Sequence, residues 1–186
     1  DGLDNLVSVG RDVNIEWNDG IRNFNGLSSI TSIGGELFIK YNDYLQNLDG
    51  LTKSLSIGGD LTISRNERLQ NINALTNVNF MGGSLLIEIN KVLENIDGLV
   101  NIPSIEGSLS IRINDALQNI DGLQNISKVG GDMLIFDNNT IENLNGLQSN
   151  ASVGGSMTIE DNVGLLNLDG LDKTTSIGGE LLILNN

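Results

Sequence analysis

Histidine and cysteine are both absent from this 186-residue chain, and proline occurs once. Imidazole general bases, thiol nucleophiles, Cys/His metal sites and disulfide staples are therefore excluded. An enzyme is not expected, and neither is a cofactor or a bound metal. The lack of Cys leaves the compartment open, because a regular repeating coil needs no disulfide. Cations are scarce too: ten Lys and Arg stand against 24 Asp and Glu, a net charge of −14. Such a charge repels phosphate backbones and anionic membrane surfaces, so nucleic acid is a poor partner. No apolar run reaches membrane-spanning length, and the N-terminal residues lack the basic, apolar and small-residue order of a signal peptide. Membrane insertion of this segment is not expected, and any targeting signal lies outside it. Aromatic residues make up only 4% while glycine reaches 23 residues. That composition is typical of a chain assembled from copies of one small unit.

The unit is plain once Gly10, Gly34, Gly58, Gly82, Glu106, Gly130, Gly154 and Gly178 are aligned, since each copy follows the last by 24 residues without insertion or deletion. The copies read roughly I-G-G-x-L-x-I-x-x-N-x-x-L-x-N-L-D-G-L-x-N-I-x-S, and a fixed period of this length with these apolar positions marks a leucine-rich type of solenoid. Within each copy the piece from Gly59 to Ile63 and its equivalents alternate polar and apolar residues, the signature of a short half-buried strand. The inward residues are Val13, Leu37, Leu61, Leu85, Leu109, Met133, Met157 and Leu181, followed two positions later by Ile in every copy, Ile15 to Ile183. Stacked at about 4.8 Å per strand, eight coils predict a parallel sheet roughly 35 to 40 Å long. The expected fold is a β-rich, right-handed solenoid over 1–186, one domain of about eight coils, uncapped and part of a longer array.

Asparagine recurs without exception just beyond the strand, at Asn18, Asn42, Asn66, Asn90, Asn114, Asn138, Asn162 and Asn186, and again at Asn23, Asn47, Asn71, Asn95, Asn119, Asn143 and Asn167. An amide supplies donors and an acceptor, so both columns are predicted to be ladders that satisfy turning backbone and bond coil to coil. The Asp-Gly and Asn-Gly pairs beginning at Asp1, Asn25, Asp49, Asp97, Asp121, Asn145 and Asp169 are turn chemistry, with Gly expected to supply a positive φ; Ala74 is the exception. Calcium capture by this line is the weaker alternative, because the chain lacks the G-G-x-G-x-D unit of calcium β-rolls and Asn interrupts the carboxylates.

Stretches such as Ser56-Ile57-Gly58-Gly59-Asp60-Leu61-Thr62-Ile63, followed by Asn66, Leu69 and Leu75, resemble the leucine-rich repeats of the receptor L-domain family. The resemblance runs through all copies. It implies an extracellular or cell-surface solenoid that binds something, and is nearly silent on what. The lack of Cys and the strict period point to a structural or adhesive surface array rather than a receptor.

Asp12, Glu16, Glu36, Asp60, Glu88, Asp132, Glu160 and Glu180 are expected to form a solvated acidic stripe, since nothing sets two carboxyls apart in a pocket of different polarity. The outward strand positions are the least constrained by the fold and therefore the most informative. In the order Asn14, Phe38, Thr62, Leu86, Ser110, Leu134, Thr158, Leu182, bulky and small residues alternate. With Trp17, Tyr41, Ile89, Ile113 and Phe136 close by, Phe38, Leu86, Leu134 and Leu182 form the candidate binding face, for protein, glycan or further copies of the chain. Self-assembly into a filament or sheath is the main alternative. Ice binding, through Ser8, Ser32, Ser56, Ser104, Ser152 and Ser176, is a remote one because Phe80 and Lys128 break that column. Of the sequons at Asn125, Asn138 and Asn150, Asn125 is the candidate for glycosylation, because its column also holds Lys53 and Lys173 and should face solvent.

Overall fold

The computed structural model describes residues 2–186; Asp1, the first half of the Asp1-Gly2 pair, lies outside them. The chain is a parallel β-solenoid of about seven turns with 24-residue coils. Each coil contributes one four-residue strand, from Val13–Glu16 through Leu37–Lys40, Leu61–Ser64, Leu85–Glu88, Leu109–Arg112, Met133–Phe136 and Met157–Glu160 to Leu181–Leu184. These eight strands form one parallel sheet in unbroken sequence order. Their register is in step with the repeat, so Leu37 faces Leu61, Ile39 faces Ile63 and Phe38 faces Thr62. The interior is a set of vertical apolar columns. In the six middle coils the two inward strand residues are all but fully buried, and each such side chain contributes roughly 1.5–3 kcal/mol on leaving water. At the ends the same columns lie open: Leu181 and Ile183 are exposed and Val13 and Ile15 half-buried.

The first asparagine column is the ladder the sequence predicts. The Oδ1 of Asn66 accepts the backbone N–H of Asn42 (3.1 Å) and its Nδ2–H (3.2 Å). The Nδ2 of Asn66 in turn donates to the carbonyls of Ser64 and Ile39. The pattern repeats from Asn18 to Asn186, and Asn42 through Asn162 are buried. The second column is different. Asn47 accepts the N–H of Asp49 two residues on, and Asn95 that of Asp97, so these amides close local turns and do not bond coil to coil.

The glycine expectation also needs correction. Of the Asp-Gly and Asn-Gly pairs among the described residues, only Gly50 and Gly170 have positive φ. There the peptide is flipped so that the Asp49 and Asp169 carbonyls accept the N–H groups of Phe24 and Leu144. At Gly98, Gly122 and Gly146 the turn is a short 3-10 segment, and glycine is required by proximity instead. A Cβ on Gly122 would sit 1.9 Å from the Ile96 carbonyl oxygen. The left-handed residues are the ones before each ladder asparagine: Trp17, Tyr41, Arg65, Ile89, Ile113, Asp137, Asp161 and Asn185, all with φ between 52° and 59°.

Two irregularities interrupt the period. Leu55 pairs with Val78 while Ser56 pairs with Phe80, a bulge that buries Leu55 and leaves Ser54 at the surface. The second, shorter sheet is split into four strands and three. The break falls at Pro103, whose ring nitrogen cannot donate where Thr31, Ser127, Ala151 and Thr175 each donate to the preceding coil. The serine column is thereby divided as well, with Ser104 outside both sheets and Phe80 and Lys128 standing in its rows.

Candidate binding face

Four columns of side chains make up the outward surface of the long sheet and its two margins. The leading margin carries Asp12, Glu36, Asp60, Ser84, Ser108, Asp132, Ser156 and Glu180. Asp12 and Asp132 of the expected stripe are exposed and Asp60 half-buried, and they do more than meet solvent: Asp12, Asp60 and Asp132 accept the backbone N–H of Glu36, Ser84 and Ser156, and Ser84 accepts that of Ser108. These short side chains replace a missing backbone acceptor one coil away, a second coil-to-coil ladder whose residues vary too much in type to stand out in the sequence.

The central column runs Asn14, Phe38, Thr62, Leu86, Ser110, Leu134, Thr158, Leu182, and the strand register sets each large residue directly beside small ones. Phe38, Leu86 and Leu134 are half-buried, and Thr62, between Phe38 and Leu86, is almost covered. The outward assignment holds for all of them, since the neighbouring inward residues have essentially no exposure. The next column holds Glu16, Lys40, Ser64, Glu88, Arg112, Phe136 and Glu160. Lys40 pairs with Glu16 at 3.2 Å, Arg112 with Glu88, and the Ser64 hydroxyl donates to Glu88. Glu16 and Glu88 are thus laced to their neighbours.

The trailing margin is the left-handed column. Trp17 stacks on Tyr41 with ring centroids 4.0 Å apart, and the Arg65 guanidinium lies over Tyr41. Ile89 and Ile113 are half-buried in the middle of the column. The structure therefore brings Trp17 and Tyr41 together at one end, places Lys40 over the Phe38 ring in the coil of Tyr41, and leaves Phe136 and Leu182 at a distance of several coils. Sequence reasoning missed Tyr44, Arg65 and Arg68. Tyr44 and Arg68 are 24 residues apart, as are Tyr41 and Arg65, and that offset was the available signal.

Elsewhere the surface is tied from coil to coil. A hydrogen bond from Lys91 to Glu67, with the attraction of that carboxylate, holds the lysine pKa above its ordinary value. Hydrogen bonds from Lys128 and Ser104 hold Glu106 below the usual carboxylate range. Asn125 is exposed as expected, although its amide donates to the Val100 carbonyl; Asn138 and Asn150 are fully buried. Each end of the coil opens onto the apolar interior, with a cavity of about 510 Å³ beside Val9, Val13, Phe24 and Leu27 and one of about 360 Å³ beside Met157, Ile177 and Leu181. Among the described residues no three Asp or Glu side chains converge as a metal site would require, and no helix is long and apolar enough to cross a membrane.

No protein-family model, curated protein or solved structure matches this chain.

Proposed function

We propose that this chain is a non-catalytic recognition or adhesion scaffold of the cell surface or extracellular space, binding protein or glycan through the outward face of its long sheet. Ile89 and Ile113 carry the reading. Both hold a left-handed backbone that a β-branched side chain adopts only at a cost. The same turn is made at Asp137, Asp161 and Asn185 by residues that suit it. An apolar residue kept where the coil would be better served by Asn points to use by a partner. The half-buried Phe38, Leu86 and Leu134 extend the same strip. Resemblance to receptor L-domain repeats supports the extracellular setting.

The experiment pairs two variants against arrays of glycans and extracellular proteins. Leu86→Ser with Leu134→Ser, matching Ser110 of that column, should leave the melting temperature nearly unchanged and weaken binding at least tenfold. Ile89→Asn with Ile113→Asn should raise stability by about 1 kcal/mol per site and also weaken binding. Loss of stability with binding intact in the first variant would defeat the proposal.

A further inference from the structure

One corner of this acidic chain sets three aromatic side chains, Trp17, Tyr41 and Tyr44, beside two arginines, Arg65 and Arg68. Tyr41 and Tyr44 flank the ladder residue Asn42 in one coil, and Arg65 and Arg68 flank Asn66 in the next. Each arginine lies over the tyrosine one coil back, Arg65 at 5.5 Å from the Tyr41 ring centre and Arg68 at 4.3 Å from that of Tyr44. The two buried bonds from Asn42 to Asn66 clamp the coils between these rungs, so their spacing is preset. Trp17 continues the first rung by stacking on Tyr41, and 70% of its surface is exposed.

We propose that this corner binds an acidic saccharide, a pyranose chain bearing carboxylate or sulfate groups; the proposal rests on the recognition reading above. Two observations select this chemistry. Among the described residues Arg65 and Arg68 form no ion pair, as Arg11, Arg22, Lys53 and Lys173 do not, but of these six only Arg65 and Arg68 lie over an aromatic ring. A guanidinium held over a ring by its π face keeps N–H donors free for a carboxylate or a sulfate. Beside the forks are ring surfaces. Tyr44 is exposed, and the coil on the side away from Arg68 places Gly20 in its column, with no side chain to cover the ring. Trp17 and Tyr44 can thus receive the C–H faces of sugar rings while the arginines hold their acid groups. An aromatic surface set next to two unpaired forks matches a polymer whose rings and charges alternate.

Affinity electrophoresis in gels containing polygalacturonate, heparin, neutral dextran or polyglutamate tests the site. The chain should be retarded by polygalacturonate or heparin, the pair showing whether carboxylate or sulfate is preferred, and not by dextran. Arg65→Gln with Arg68→Gln, and separately Trp17→Ala, should each lower that affinity at least tenfold at an unchanged melting temperature. Equal retardation of the arginine variant, no retardation in either acidic polysaccharide, or equal retardation by polyglutamate would overturn the proposal, the last assigning the corner to an acidic peptide. Leu86→Ser with Leu134→Ser, which leaves this corner untouched, separates the two levels. If that pair abolishes binding to an array partner while the corner is silent toward both polysaccharides, only the saccharide site falls.

Discussion

Two kinds of asparagine in this chain look alike in sequence and differ in energy. The Asn90 side chain accepts from the Asn66 backbone N–H and donates to the carbonyls of Ile63 and Glu88 while fully buried. Removing it strands several groups away from water, so Asn90→Ala should cost about 2–4 kcal/mol, a buried unpaired group costing about 1–3. Asn95 makes one bond near the surface, to the N–H of Asp97, and Asn95→Ala should cost under about 1 kcal/mol. Chemical denaturation of the two variants would show the order, and equal midpoints would refute the distinction. Asn150 is a third case. The buried members of its column are otherwise Ile30, Val78, Ile102 and Ile126, and neither its Nδ2 nor its Oδ1 has a partner within the protein. Asn150→Ile should therefore leave stability unchanged or raise it by about 1 kcal/mol. A fall in melting temperature would mean that the amide is satisfied by something else, such as an ordered water.

At the scale of the coil, what repeats is a set of close backbone approaches. Gly34, Gly58, Gly82, Gly130, Gly154 and Gly178 lie with a would-be Cβ within 2.5 Å of a carbonyl oxygen of the coil before. Gly122 is tighter still, against Ile96. Gly122→Ala should push two coils apart locally and cost about 1–3 kcal/mol, read from thermal unfolding. The coil that carries Ala74 shows one accommodation, since its 3-10 segment spans Asn73–Asn77 where those of other coils span three residues. Pro103 works in the opposite direction by deleting a donor, so the short sheet ends there while the long sheet runs through unbroken.

In the whole molecule each coil touches only its neighbours, so stability accumulates along one dimension and is least at the two ends. Amide hydrogen exchange should be slowest in Leu61–Ser64, Leu85–Glu88 and Leu109–Arg112 and faster by at least tenfold in Val13–Glu16 and Leu181–Leu184, whose inward residues are partly open to solvent. Uniform protection along the rod would indicate that something covers the ends. The acid-rich surface adds a second global term. Its self-repulsion is only partly relieved by the four ion pairs among the described residues, and raising ionic strength should raise the melting temperature.

A 24-residue repetition of Leu, Ile and Asn determined the solenoid, the inward columns and the principal ladder from sequence alone, because identical residues in identical coils can only be satisfied by stacking in step. The outward positions were legible in the middle coils: residues free of the inward pattern must point out, and Phe38, Leu86 and Leu134 do, whereas all four residues of Leu181–Leu184 are exposed. Tertiary structure alone decided matters that depend on the distance between coils. Whether a glycine serves φ or proximity, whether an aspartate is solvated or bonded to the next coil's N–H, and whether an asparagine bonds along the chain or across it are set by a neighbour 24 residues away. The register slip at Leu55 belongs to the same class, since burying a leucine in place of a serine outweighs the regularity of the period. So does the corner of Tyr41, Tyr44, Arg65 and Arg68, four residues scattered through a sequence and brought together because one turn of the coil places each arginine over a ring.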